Sequence, residues 1–353
     1  ILRFADVPCA PVPSLLRGFS APVKLDVELS DDQLALLVAH DSDLFNRWEA
    51  AQRWILRTLL GLVEDHGADR ALTPPSALGD TLVRLLDDDS LEPALVAEVL
   101  SLPGESVIGD QLSQVDVDAV HAARTALARR MAEDHGDALW AAYERLHPLT
   151  RDGVDTATAG RRALKNACLD LLLSTGSERA VSCAHTQLLE ARTMTDQLAA
   201  LQGLLDVGGP VAQDAVAWFR DRWQHESLVM NKWFAAQAGA SRADVVDDVR
   251  RLAEDPLFDA GNPNKLRSLY RTFASNPVGF HAADGRGYAV LADLVLAVDA
   301  RNPIMSARLA TPFNAWRRYD PARQELMKTQ LQRILDGGSL SPNLFEVASK
   351  ALG

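Results

Sequence analysis

Segments of helical period, each roughly 10 to 20 residues long and closed by glycine or proline, follow one another from Ser30 to the C-terminus. This recurrence limits the fold more than any other feature of the chain. Breaks fall at Gly67, Pro74-Pro75, Pro103-Gly104, Gly136, Pro148, Gly153, Gly176, Gly208-Gly209-Pro210, Gly239, Pro256, Gly261, Pro277, Gly285 and Gly337-Gly338, which divides the body into about sixteen helices. Ser30, with Gln33 three residues on and Asp31 and Asp32 between them, has the form of a capping box with acids where the helix dipole favours them. A helix is expected to start there. In the next segment Leu44, Trp48, Ala51, Ile55, Leu59 and Leu62 recur at steps of three and four, and Phe45, Leu56, Leu60 and Val63 form a second stripe. That pattern predicts a helix buried on two sides. No convincing strand follows Leu29, so the body is all-α, and so many similar short helices suit a solenoid-like superhelix of stacked helix hairpins. No tetratricopeptide or ankyrin consensus is visible, so any repeat is structural and degenerate.

Residues 1–29 differ in kind. Val23-Lys24-Leu25-Asp26-Val27-Glu28-Leu29 alternates apolar and charged side chains, the period of a strand with one buried face. Ile1 to Phe4 reads as a second strand, with Pro8, Pro11, Pro13 and Gly18 between the two. Two strands do not stand alone in water. The expectation is therefore either the end of a sheet whose other strands lie upstream, or a segment laid against the helices. The chain opens mid-pattern, without an initiator methionine, a basic stretch or a cleavage site, which reads as a piece of a longer polypeptide.

A chain of 353 residues with 47% hydrophobic content can bury a large core. Its 48 acidic against 36 basic residues give a net charge of −12, which opposes binding to nucleic acid, and no Lys/Arg-rich run offsets it. Cys9, Cys168 and Cys183 are too few and too scattered for a disulfide framework or a zinc ribbon and fit a reducing compartment. The apolar run Tyr288 to Val298 is interrupted by Asp293 and is shorter than the ~20 residues of a membrane span. No membrane partner is expected.

Enzymatic motifs are absent: there is no nucleophile elbow, Walker loop, dinucleotide fingerprint or cysteine pair at metal-ligand spacing. His225-Glu226-Ser227-Leu228-Val229 begins like His-Glu-x-x-His, but the second ligand position is Val229. The eight histidines never fall four apart, so no helix offers two imidazoles to one ion. His66 and His135 precede glycines and read as helix-end cations. Asp87-Asp88-Asp89 and Asp247-Asp248 read as solvated faces. The stretch Trp218-Phe219-Arg220-Asp221-Arg222-Trp223 reads as aromatic anchoring, with a recognition surface as the other use.

The least generic stretch runs from Asn262 to Tyr288, followed by Asn302 to Arg308. Arg267, His281 and Arg308 crowd there with asparagines and glycines. Two readings stand: caps and turns between helices, or an edge that presents charge to a ligand or a neighbouring domain.

Across Pro11 to Val23, His40 to Ala50, Asn262 to Tyr288, Tyr319 to Gln324 and Lys350 to Gly353, the chain resembles the bacterial aminopeptidase N family, zinc-dependent gluzincin aminopeptidases. The resemblance implies an armadillo/HEAT-like solenoid of antiparallel helix hairpins over residues 30–353, preceded by the terminal strands of a β-sandwich domain over residues 1–29. It implies that the zinc and the catalytic domain lie upstream, since the family's His-Glu-x-x-His and Gly-Ala-Met-Glu-Asn motifs are absent, and that this portion alone is inactive and holds no cofactor. Its partners would be the upstream catalytic and β-sandwich domains and peptide substrates, in the cytoplasm. In the family, the helical domain encloses the active-site chamber and arginines of its last third line it. Arg267 and Arg308 match such positions and are expected to bind substrate, while Ile304 stands where relatives carry a polar glutamine. A reading of a different class is a free-standing helical scaffold that binds protein partners.

Overall fold

The computed structural model describes residues 6, 8–23 and 25–353. Two compact units share the chain: residues 1–104 with 123–175, and residues 105–122 with 176–353. Among the described residues both are built of helices, and the one β-bridge, between Val115 and Tyr319, is isolated.

The first unit begins its helical body at Ser30, as the capping box predicts. The Ser30 Oγ accepts from the Gln33 N–H at 3.3 Å, and Gln33 Oε1 accepts from the Ser30 N–H at 2.9 Å. The helix Asp31–His40 that follows packs on the helix Leu44–Gly67, capped by Asp43. Arg47, buried in this second helix, donates to the carbonyls of Val38 (2.9 Å) and Ala39 (3.0 Å). It thereby supplies donors that the end of the first helix lacks. Ala51, Ile55, Leu59, Leu62 and Val63 are buried as the stripes require, whereas Leu44 and Phe45 at the helix start are exposed.

The strand-like alternation of Val23–Leu29 forms no strand among the described residues. Its carbonyls turn to the second helix instead: Arg53 donates to Val27 O and Arg57 to Leu29 O, both at 2.7 Å. The earlier part is held likewise, with Asn46 Nδ2 donating to Ser14 Oγ at 2.8 Å and to Leu15 O at 2.9 Å. These hydrogen bonds tie the described part of the segment to the helix Leu44–Gly67. Ile1 to Phe4 lies outside the described residues.

The break expected at Gly136 takes the form of a kink: within Val117–Leu146 two helical stretches meet at His135, whose backbone is non-helical (φ −125°, ψ 20°), one residue before Gly136. The glycine that matters here is Gly79, where an added Cβ would stand 2.9 Å from His135 Nε2.

In the second unit, helix starts repeat one device. Asn262, Asn276, Asn302, Asp320 and Ser341 each cap a helix whose first residue is a proline, and each side chain accepts a first-turn N–H. Proline at that position has no donor to waste and a preset φ. Beneath these starts lies an aromatic core in which Phe273, Phe280, Tyr288 and Phe313 are fully buried, with Phe280 edge-on to Tyr288 at 5.1 Å between centroids. Gly287 allows this: a methyl group there would overlap the Phe280 carbonyl. Gly285 starts the helix Arg286–Asp299 from a left-handed conformation (φ 71°) that only glycine adopts freely.

Candidate functional site

The helix that begins at Pro263 passes through a π-helical turn, Arg267–Arg271, before ending at Ala274. Such turns are rare and recur at functional sites. This one presents Arg267 and Arg271 to a cleft of about 600 Å³. Arg308, in the last turn of the helix Pro303–Ala310, lines the same cleft, as do His281 and Tyr319. Buried Phe280, Met305 and Leu309 supply its apolar wall.

The structure thus brings together the two arginines singled out in the sequence. Among the described residues, the side chains of Arg267, Arg271 and Arg308 make no ion pair or hydrogen bond, although all three are exposed. Neighbouring arginines differ. Arg286 meets Asp284 at 2.6 Å and Asp247 at 3.0 Å, Arg318 meets Asp110 at 2.8 Å, and Arg323 meets Asp118 at 2.8 Å and Asp320 at 2.9 Å. Three cations that line one cleft without an acid constitute a ready site for an anion. Ile304 is 60% exposed and does not line it.

A smaller cleft of about 290 Å³ adjoins the first and shares Ala274, Ser275, His281 and Tyr319 with it. Its own residues include two carboxylates, Glu105 and Asp110. Glu105 Oε1 meets His121 Nδ1 at 2.8 Å, and Asp110 is paired with Arg318.

His281 and Tyr319 therefore form the wall between the clefts, their rings 4.1 Å apart at the centroids. His281 is 6% exposed, and its Nδ1 lies 2.8 Å from the Tyr288 hydroxyl. Burial, reinforced by the Arg323 guanidinium and opposed by Asp320, pushes its pKa down to about 3. The ring is neutral at any ordinary pH. Burial also raises the Tyr288 and Tyr319 phenols above their usual range. Arg323 Nε donates to the His281 carbonyl at 2.7 Å, which fixes the backbone beneath the ring.

Sequence reasoning missed Arg271, Tyr288 and Tyr319. Arg271 was within reach, because it stands four residues after Arg267 and so on the same helical face. The tyrosines carry no local signal. Among the described residues no three His, Cys, Asp or Glu side chains stand close enough to share a metal ion, and His225 and Glu226 precede the helix Ser227–Ala238 rather than lie on it. His225 and Glu226 thus lack the helical frame of the zinc motif that they resemble in sequence.

The family described as "Domain of unknown function (DUF3458_C) ARM repeats" matches residues 31–353. Over the whole chain the sequence is 40% identical to aminopeptidase N of Caulobacter vibrioides, and over 99% of it 37% identical to aminopeptidase N of Escherichia coli. It spans 41% and 40% of those relatives, in their C-terminal region. Among solved structures, Legionella pneumophila aminopeptidase A in complex with aspartic acid superposes with a TM-score of 0.88 at 30% identity, over 99% of this chain and 41% of that one.

Proposed function

This chain belongs to the DUF3458_C family of ARM-repeat domains, and on that premise we propose that it is the C-terminal helical part of a zinc aminopeptidase of the aminopeptidase N type. In this reading it caps the active-site chamber, gates access to it and helps to hold the peptide. The zinc of such an enzyme would be held by the upstream part of the same polypeptide and would supply the hydrolytic chemistry there, while this chain would contribute binding. Residues 1–29 would close the preceding β-sandwich domain, whose strands would give the alternation of Val23–Leu29 its partners. The three scattered cysteines, Cys9, Cys168 and Cys183, fit a cytoplasmic, reducing setting.

The observation that carries this reading is the convergence of Arg267 and Arg308 on one cleft, without acid partners among the described residues. A guanidinium offers two parallel donors to a carboxylate, so the cleft suits the C-terminal end of a short peptide. Arg271 adds a third donor group, and Met305 and Leu309 offer apolar surface to side chains.

The test uses the full-length enzyme. Arg267→Ala or Arg308→Ala should raise KM for Ala-Ala-Ala by about tenfold, the worth of a charge-assisted hydrogen bond. KM for an alanyl arylamide, which has no carboxylate, should change by less than about twofold, with kcat retained on both. Equal effects on the two substrates would remove the carboxylate role.

A further inference from the structure

We propose that His281 is the neutral hydrogen-bond donor of the arginine cleft, and that Tyr288 holds its imidazole in the tautomer whose Nε2–H meets a carbonyl or carboxylate oxygen of the bound peptide. The inference rests on the peptide reading above and adds to it a residue of different chemistry.

The tautomer follows from hydrogen-bond accounting. The ring meets the Tyr288 hydroxyl through Nδ1 at 2.8 Å, and Tyr288 is fully buried with no other hydrogen-bond partner for that hydroxyl among the described residues. If Nδ1 donated, the phenolic O–H would be left buried without an acceptor, at a cost of about 1–3 kcal/mol. If Tyr288 donates, Nδ1 accepts, both groups are satisfied, and the ring proton resides on Nε2.

Nε2 has no hydrogen bond among the described residues, and it is not one of the fully buried atoms left without a partner. The ring it belongs to lines both clefts. Its position is held by Tyr319, tilted against it with centroids 4.1 Å apart, by Phe280 edge-on at 4.9 Å and by Arg323 bonded to the carbonyl. The charged groups that bear on it are Arg323 and Asp320, and the net effect of burial and these charges keeps the imidazole uncharged. Such a donor selects for direction: it aligns a peptide oxygen without adding to the three positive charges beside it. Tyr288 acts here as a positioning residue, through His281.

NMR of the chain labelled with ¹⁵N-histidine tests this, because long-range ¹H–¹⁵N correlations identify which ring nitrogen carries the proton. His281 should show the Nε2–H form near neutral pH, and Ala-Ala-Ala should shift that Nε2 resonance in the native chain but not in Arg308→Ala. Tyr288→Phe keeps the packing and removes the O–H, so the Nδ1–H form should appear and Ala-Ala-Ala should bind about fivefold more weakly, the worth of one neutral hydrogen bond. His281→Gln, which retains an N–H donor, should lose less affinity than His281→Ala. An Nδ1–H tautomer in the native chain overturns the proposal. So does an Nε2 resonance that ignores a peptide to which the Arg308 side chain responds, an outcome that leaves the arginine reading intact. If neither responds, the peptide reading fails and this proposal with it.

Discussion

His281 is where one side chain should govern a measurable property of the protein. In the unfolded chain it protonates near its ordinary value of 6.5, and in the folded chain only near 3. Between those values the unfolded state binds the extra proton, so stability is intact above about pH 6.5 and falls as the pH drops, by up to about 1.4 kcal/mol per unit. His281→Gln removes that group. The difference in urea unfolding free energy between native chain and variant should therefore shrink by about 1–2 kcal/mol between about pH 6.5 and about pH 5. A difference that stays constant with pH would show that the buried ring titrates elsewhere. The sequence reveals this residue only in part. Arg267, His281 and Arg308 stand out because they crowd into loops and helix starts, and resemblance to a family supplies the arginines' role. Nothing local says that the imidazole is uncharged, because that depends on its burial by the fold and, after that, on Arg323 forty-two residues on.

Helix starts were the most legible elements. Asn or Asp before proline carries its own physics, a side-chain acceptor followed by a residue with a preset φ, and Asn262, Asn276, Asn302 and Asp320 all cap as their sequence implies. Asn276 does more than cap. Its Nδ2 donates to Ala238 O at 3.1 Å and to Ala240 O at 2.7 Å, joining the start of one helix to the end of Ser227–Ala238. Asn276→Ala leaves those carbonyls and the Gly279 N–H without partners at a position 5% exposed and should cost about 3 kcal/mol. Asn276→Asp keeps the cap but sets a carboxylate against two carbonyls, so urea denaturation should find it at least as destabilised as the alanine variant. Native stability in the aspartate variant would mean that the bridge to the neighbouring helix counts for little. Elements whose identity depends on partners were harder to read. The alternation of Val23–Leu29 predicts a strand but cannot provide the ladder, and the described residues give its carbonyls arginines instead. Gly136, by contrast, marks a real interruption, which the chain makes as a kink at His135 beside it.

At the scale of the whole molecule, the candidate site runs against the charge of its own chain. A net charge of −12 would repel a peptide carboxylate from a distance, while Arg267, Arg271 and Arg308, which line one cleft, would attract it at contact. The two effects have different reach. The Debye length is about 30 Å at 0.01 M salt and about 10 Å at 0.1 M, so moderate salt screens the dispersed acids before it weakens cations within contact range of the ligand. Affinity for Ala-Ala-Ala should therefore rise or stay level as salt increases from about 0.01 M to about 0.1 M, and fall only beyond that. A variant in which all three arginines are replaced by glutamine keeps the long-range repulsion alone. Its residual affinity should rise with salt throughout the range and show no later decline. Calorimetric titration of both proteins across the salt series separates the contributions. A steady fall from the lowest salt in the native chain would mean that the arginines dominate at every distance and that the acidic surface does not reach the cleft. The proposed discrimination is local in origin: an acidic protein can favour an acidic ligand end where three arginines converge unpaired, and the sequence places two of them forty-one residues apart.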